Sequence, residues 1–434
     1  MKKILIAEGV PLSNKGEEAI IRGIQDILFQ DETIEIAVMD LCDEPCDKYG
    51  IHVFPYQWLY PYARPLRAQT YNLPPLRQKE KLAKYISQVL MLFGYLGPAG
   101  RLFHFNKVEM RSLVNYVNES DYIFLGHDGA WGIYSPSVLI AFKRLGKKVG
   151  ILGCGTSEPS SVLQKLIAHF MYKRAIKHSD FCYCRDDISQ TILKKYSGNL
   201  EKVKLAPDPA FGMQPAPQEE ILPILNGLKG YNEAKKNKQM IICCTVCENS
   251  IVFLGAFSEQ KSIEEKRRKH RSIIKLLIDF AVSKYNAYVI FLPHTIDIGR
   301  GNDVLIAHEI HEILNEPDKA VVLDADLSPR ILKGIIREND FLIGERTHSV
   351  IAAISTNTPF IALSNHRDQR TYSIVGKMCK GESLIFDLDS PAECMLQRFE
   401  FVLNSLKDIE KELEHTNILL NKELNNIKNT IINI

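Results

Sequence analysis

Apolar positions along this chain come as short unbroken runs separated by stretches of helical period. Lys3-Ile4-Leu5-Ile6-Ala7 predicts a strand, Gly9 to Gly16 a small polar turn, and Glu17 to Leu28 a helix with apolar residues at helical spacing. Ile34-Glu35-Ile36-Ala37-Val38 predicts a second strand, so the chain opens as a βαβ unit with parallel strands and a right-handed crossover. After an interruption the alternation resumes: strands at 122–125, 148–152, 181–184 and 203–205, with helices at 136–145, 161–177 and 186–196. A second series predicts strands at 240–244, 287–292, 321–322, 341–344 and 360–363, with helices at 264–285, 304–314, 328–336 and 349–355. From Ala392 the pattern is helical to the end, with Leu403, Leu406, Ile409, Leu413, Leu419, Leu420 and Leu424 on an apolar face that predicts docking on the chain's own body.

Two segments break the rhythm. Residues 54–106 are rich in Tyr, Pro, Leu and Arg and read as an insertion with an amphipathic helix near Tyr85–Tyr95. It reads either as a lid or packing extension, or as a segment for peripheral membrane contact or acceptor binding. Residues 214–237 contain Pro215, Pro217 and Pro223 and end in a basic run, which reads as a linker. The expected organisation is therefore an N-terminal Rossmann-like domain (1–213), that linker, a C-terminal Rossmann-like domain (238–390) and a helical segment (391–434). This is an α/β fold of two doubly wound domains, GT-B-like, with a cleft between them and a long C-terminal helix. Ligands of such sheets bind beyond the C-terminal strand ends.

Composition narrows the function. The 434 residues are 45% hydrophobic and 24% charged, too long for one core and ordinary for a globular protein. Lys+Arg is 54 against 52 Asp+Glu, a net charge of +2, which gives no broad electrostatic reason to bind nucleic acid. There is no fixed-period repeat or low-complexity tract. The start, MKKILIAEGV, lacks the apolar run of a signal peptide, and no stretch approaches the ~20 apolar residues that span a bilayer, so a cytoplasmic protein is expected, with peripheral contact at the inner membrane face as the variant. The ten cysteines sit mostly in apolar runs, and the C-x-x-C of Cys244 and Cys247 has no second pair at zinc-ribbon spacing, so no metal is expected.

The turns after the strands carry the candidate chemistry. Glu345-Arg346-Thr347-His348-Ser349 follows the strand at 341–344 and opens a helix. A cation at a helix N-terminus opposes the macrodipole by roughly 0.3–1 kcal/mol, a conflict that a bound anion would resolve. The plain structural reading is that Arg346 pairs with Glu345 or another carboxylate. Arg185 likewise stands at a strand tip, before Asp186 and Asp187, where it serves either an anion or a bridge to Asp187. Arginines from both domains would clamp one small, strongly negative molecule. Gly126-His127-Asp128-Gly129 places a His-Asp pair between glycines, with Asp128 a candidate general base and His127 its partner, or else an Asx turn. Pro293-His294-Thr295 follows another strand, and Gly153-Cys154-Gly155 is too short for a dinucleotide fingerprint.

Together these residues resemble the polysaccharide pyruvyl transferases, from Ile4 to about Gly376. Asn14-Lys15-Gly16-Glu17-Glu18-Ala19 resembles the family's N-x-G-D-x-A turn, with Glu17 in the Asp place, and Gly126-His127-Asp128-Gly129 its glycine-rich loop. Arg185-Asp186-x-x-Ser189 resembles R-D-x-x-S, Asp208-Pro209-Ala210-Phe211 resembles D-P-A-F, and Gly344 to Ser349 with Ala352-Ala353 and Thr358-Pro359 resembles G-x-R-x-H-S…A…P. Such proteins transfer the carboxyvinyl unit of phosphoenolpyruvate to two hydroxyls of a sugar, giving a pyruvate ketal. The resemblance implies that Arg185, Arg346 and His348 contact phosphoenolpyruvate and that Asp128 is a base. Thr347, Asn14, Gly126, His127, Gly129 and His294 are the further candidate substrate contacts.

The chemistry suits these residues. Phosphoenolpyruvate carries a carboxylate and a phosphate, a natural complement of two arginines. His348 or a neighbour would protonate the methylene carbon, and Asp128 would deprotonate the attacking sugar hydroxyl. The scheme requires no metal or organic cofactor. The partners expected are phosphoenolpyruvate and a sugar acceptor or lipid-linked glycan precursor. Two alternatives stand: a GT-B glycosyltransferase with a nucleotide-sugar donor, and a non-catalytic glycan-binding relative. The latter predicts Arg185 or Arg346 buried against internal carboxylates.

Overall fold

The structure is a computed structural model and describes residues 2–28, 34–40, 42–59, 110–126, 135–159, 161–198, 200–297 and 301–434. The expected helix at Tyr85–Tyr95, most of the 54–106 insertion, and His127, Asp128 and Gly129 lie outside the described residues. The chain divides into two compact units. The first comprises Met1–Leu12, Ile20–Pro209 and Leu424–Ile434; the second comprises Ser13–Ala19 and Ala210–Glu423.

Among the described residues the first unit holds a sheet of eight strands. These are β1 (Lys2–Gly9), β2 (Ile34–Asp40), β3 (Cys46–Lys48), β4 (Ile51–Pro55), β5 (Tyr122–Leu125), β6 (Lys148–Cys154), β7 (Phe181–Cys184) and β8 (Val203–Leu205), in the order β3-β4-β2-β1-β5-β6-β7-β8. All neighbours are parallel except β3 on β4. Strands covered on both faces need continuous apolar runs, and Ile4 to Ala7 and Ile123 to Leu125 are wholly buried. The longer helices of this unit are α1 (Lys15–Leu28, whose first residues belong to the second unit), α2 (Arg111–Glu119), α3 (Ser135–Arg144), α4 (Val162–His178) and α5 (Asp187–Ser197). The edge hairpin β3–β4 was not expected from the sequence, because its run Cys46-Asp47-Lys48 is polar and exposed.

The second unit carries, among the described residues, a wholly parallel sheet of β9 (Ile241–Thr245), β10 (Tyr288–Phe291), β13 (Ala320–Val322), β14 (Phe341–Gly344), β15 (Phe360–Ser364) and β16 (Ile385–Asp387), ordered β13-β10-β9-β14-β15-β16. A two-residue ribbon, β11 (Ile296–Asp297) with β12 (Gly301–Asn302), follows β10. Its longer helices are α6 (Gln218–Gly227), α7 (Tyr231–Lys236), α8 (Ile263–Tyr285), α9 (Asp303–Ile313), α10 (Pro329–Arg337), α11 (Thr347–Ser355) and α12 (Ala392–Asn404), followed by α13 (Leu406–Ile432), whose last residues from Leu424 belong to the first unit. α8 begins with a capping box between Ser262 and Glu265 and ends at Asn286, whose left-handed backbone (φ 50°) closes the last turn.

Residues 214–237, expected as a linker, instead contain α6 and α7. Ile221, Leu225, Tyr231 and Ala234 are buried, and Ile221 packs on Gly334 of α10. The prolines misled: Pro217 occupies the N-cap of α6 and Pro223 is accommodated inside it. In the closing helix the buried line is Ile409, Leu413, Leu420, Leu424, Ile427 and Ile431, while Leu419 is half exposed. No helix among the described residues is long and apolar enough to cross a membrane.

Candidate active site

In the second sheet the chain steps from β9 through β10 to β13 on one side and from β14 through β15 to β16 on the other. The order reverses between β9 and β14, and open parallel sheets bind ligands outside the strand ends at such a point. Arg346 stands there, two residues beyond the end of β14. It caps α11 with extended backbone (φ −86°, ψ 118°). Thr245, at the end of β9, fixes the turn: its Oγ1 accepts the N–H of Glu345 at 3.1 Å and lies 2.7 Å from Ser349 Oγ. Ser349 Oγ donates to the Arg346 carbonyl at 2.7 Å. The serine of this segment is therefore a clasp for the turn.

Arg346 pairs with Asp303, the first residue of α9. Nε donates to Oδ2 at 3.0 Å and Nη2 to Oδ1 at 2.5 Å. The Asp303 carboxylate also accepts the backbone N–H groups of His294 (3.0 Å) and Thr295 (2.9 Å). Burial works against the Arg346 charge, but the Asp303 carboxylate outweighs it and raises the guanidinium pKa. For Asp303, burial pushes the carboxyl above its ordinary range against the pull of Arg346. An internal carboxylate thus answers the conflict between Arg346 and the helix dipole. The pairing uses one edge of the guanidinium, and the side chain stays 13% exposed.

His294, after β10, is buried and its Nδ1 lies 3.2 Å from the Leu292 carbonyl. Burial pushes its pKa down to about 3, and the charges of Arg346, His348 and Lys15 act in the same direction. The imidazole is therefore neutral at ordinary pH, with Nδ1–H donating and the Nε2 lone pair available as an acceptor. The Asn14-Lys15-Gly16 turn lies against this strand end. Asn14 bridges to Thr295, Lys15 N–H donates to the His294 carbonyl at 2.9 Å, and Gly16 N–H donates to Asn14 Oδ1 at 3.0 Å. Lys15 Nζ reaches Asp326 at 2.7 Å and Glu18 at 3.5 Å, with its side chain buried. His348 packs its ring on Gly16.

Glu345 faces the other way, into the unit. Its carboxylate accepts the Cys247 N–H at 2.8 Å and lies 2.9 Å from His270 Nε2. His270 Nδ1 lies 2.9 Å from Arg271 Nη1, which sets Nε2–H as the donor to Glu345. Arg271 in turn binds Glu248 and Glu309. Thr347 Oγ1 lies 3.2 Å from Thr371 Oγ1, whose own partner is Asp368 at 2.7 Å. Thr347 is thus tied into the unit's interior.

The first unit places Arg185 differently. It is buried, with Nη1 donating to Asp208 at 3.2 Å and Nε 3.9 Å from Asp186, where a bridge to Asp187 was the plain expectation. Asp186 caps α5, and Ser189 Oγ donates to Asp186 at 2.8 Å and accepts the Thr156 N–H at 2.9 Å. The R-D-x-x-S and D-P-A-F segments therefore bind each other. Burial on an internal carboxylate, the mark expected of the non-catalytic alternative, is met by Arg185 and on one edge by Arg346. Gly126 is fixed by packing: a methyl there would fall 2.2 Å from the Leu152 carbonyl oxygen.

Sequence reading missed Asp303, Lys15 and the Glu345–His270 pair as site components. Asp303 opens α9 in an unremarked stretch, and only its distance of 43 positions from Arg346 separates it from an obvious partner. Lys15 occupies the variable position of the N-terminal N-x-G turn, where the motif names no residue. Cys244 and Cys247 are buried with their thiols pushed up, above all by burial, which disfavours the thiolate a metal would need. Among the described residues one grouping has ligand atoms mutually within 4.8 Å, His366, Asp387 and Asp389. Asp389 is already engaged by the Asn365 amide (2.6 Å) and the Phe257 N–H (2.7 Å).

Two Rossmann-like units of this kind define a GT-B-like fold, and solved structures agree. The chain is similar to the N-terminal domain of trehalose-6-phosphate phosphatase from Candida albicans (12% identity, 99% of this chain and 96% of that one, TM-score 0.54). It is likewise similar to α,α-trehalose 6-phosphate synthase from Burkholderia multivorans (11%, 99% and 97%, TM-score 0.54) and UDP-GlcNAc 2-epimerase from Neisseria meningitidis (10%, 100% and 100%, TM-score 0.53). At these identities the likeness concerns the fold. The family model for polysaccharide pyruvyl transferase matches residues 14–367, and the chain belongs to that family. No curated protein matches the sequence.

Proposed function

We propose that this transferase moves the pyruvate unit of phosphoenolpyruvate onto two hydroxyls of a sugar in a polysaccharide or glycan precursor. A proton adds to the methylene carbon, a sugar oxygen bonds to C2, and a second oxygen bonds to C2 as the C2–O bond to phosphate breaks. One hydroxyl proton is balanced by the new methyl group and the other leaves with phosphate. The observation that carries this reading is the gathering of Lys15, Arg346 and His348 around neutral His294 at the switch point of the second sheet. Internal carboxylates already hold both cations, Arg346 by Asp303 and Lys15 by Asp326, so the reading rests on the guanidinium edge that Asp303 leaves over, whose planar fork suits a carboxylate or a phosphate. Arg346 offers its unpaired edge to the donor and Asp303 holds it in plane. His348, with its ring fixed on Gly16, is assigned the proton delivery, and Asp128 the base.

Arg185, enclosed on Asp208, is assigned to holding the D-P-A-F segment rather than to the donor. Its burial also favours the second reading, a non-catalytic relative. Acceptor-dependent phosphate release from phosphoenolpyruvate separates the two: release that is lost in Arg346→Ala supports transfer. Binding of phosphoenolpyruvate or glycan with no release under any acceptor supports the second reading.

A further inference from the structure

α4 has one face inside the first unit and another in solvent. Ala168, Met171, Tyr172, Ala175 and Ile176 are buried. On the outer face Val162 is 76% exposed, Leu166 66% and Phe170 54%. These three are four positions apart and form a line along the helix. Single exposed apolar residues are ordinary; an aligned series of bulky ones is not. The same face carries exposed Lys165, Lys173 and Lys177, while Arg174 stacks 5.9 Å from the Phe170 ring. The helix contains no acidic residue. Glu158, the carboxylate that feels Lys165, is already held by Lys195 and Tyr196 at 2.7 Å each.

We propose that this face of α4 docks on a lipid bilayer containing anionic lipid, with Val162, Leu166 and Phe170 at headgroup depth and the three lysines on lipid phosphates. The argument is charge complementarity around an apolar line. Lysines reach upward from their stems to phosphates while the line between them enters the acyl boundary. A second copy of the chain would set like cations against each other across a two-fold axis. A nucleic acid would leave the central apolar line without a counterpart. The α4 residues lie outside the 54–106 stretch of the sequence, and the proposal holds whatever the transferred group is.

The test uses the full chain in co-sedimentation with vesicles of phosphatidylglycerol mixed with phosphatidylcholine, and of phosphatidylcholine alone. Binding to the first and not to the second is expected. Leu166→Ser and Phe170→Ser should each weaken it about tenfold or more, and Lys165→Ala or Lys173→Ala about fivefold. All four positions are exposed, so thermal unfolding should match the unaltered chain. No binding to the anionic vesicles overturns the proposal, as does equal binding to phosphatidylcholine alone or binding unchanged in all four variants. Self-association that these substitutions abolish, without vesicle binding, would give the face to a second copy and equally overturn it.

Discussion

Gly16 and His348 are in direct contact: a methyl group on the Gly16 α-carbon would lie 2.3 Å from His348 Nδ1 and 2.9 Å from Cγ. The glycine of the N-terminal turn is thus required by a histidine more than 300 positions away, and the ring's place depends on its having no side chain. Gly16→Ala should displace the imidazole. A misplacement near 1 Å costs a catalytic group roughly 10²-fold. The expected outcome is a fall of that order in kcat for phosphate release with a smaller change in KM. An unchanged kcat would remove His348 from proton delivery.

Arg346 and Asp303 form a buried pair in which each side chain depends on the other. Removing one partner of such a pair typically costs about 3–5 kcal/mol. Arg346→Ala should therefore lower unfolding stability by about 3 kcal/mol in urea titration, and Asp303→Asn by less, since the amide oxygen still accepts. In a double-mutant cycle the two substitutions should be strongly non-additive. Additive losses would show that the pair does not form.

Glu345 collects the Cys247 N–H and the His270 ring N–H where water has no access. An unmet buried donor costs about 1–3 kcal/mol. Glu345→Ala should destabilise by about 3 kcal/mol, and Glu345→Gln by distinctly less because its carbonyl oxygen accepts at least one of the two. Equal losses in the two variants would contradict the hydrogen-bond assignment.

His294 makes stability depend on pH in a defined direction. Its folded pKa, down to about 3, lies below the ordinary histidine value near 6.5. The unfolded chain therefore binds the proton first as pH falls. The stabilisation is complete above pH ~6.5 and is lost progressively towards pH ~3, by up to about 1.4 kcal/mol per pH unit. Urea unfolding between pH ~7 and pH ~4 should show a steeper loss for the unaltered chain than for His294→Gln. Parallel curves would mean that His294 is not held neutral.

Much of this was legible in the sequence where one rule sufficed. The strands at 122–125, 181–184 and 341–344 coincide with β5, β7 and β14, because both-face burial demands unbroken apolar runs, while β8 at 203–205 coincides too although Lys204 and Leu205 are exposed. The strand-tip rule places Arg346 just past β14, His294 just past β10 and His348 in the first turn of α11, as the structure has them. What failed was pairing across distance. Nothing near Arg346 names Asp303 as its partner, nor Asp208 as that of Arg185, since packing makes those choices. In 214–237, Pro217 and Pro223 outweighed the i, i+4 spacing of Ile221 and Leu225, which is what the fold uses. β16 is not legible in the sequence, because Ile385-Phe386-Asp387 is too short to show a period.

The central claim is that the switch point of the second sheet binds phosphoenolpyruvate through Arg346. Isothermal calorimetry of phosphoenolpyruvate into the full chain measures this directly, beside an Arg346→Lys variant that keeps the charge but loses the planar fork. The account predicts saturable binding by the unaltered chain, weakened at least tenfold in the variant. Absence of binding, or equal affinity in the two proteins, would contradict it.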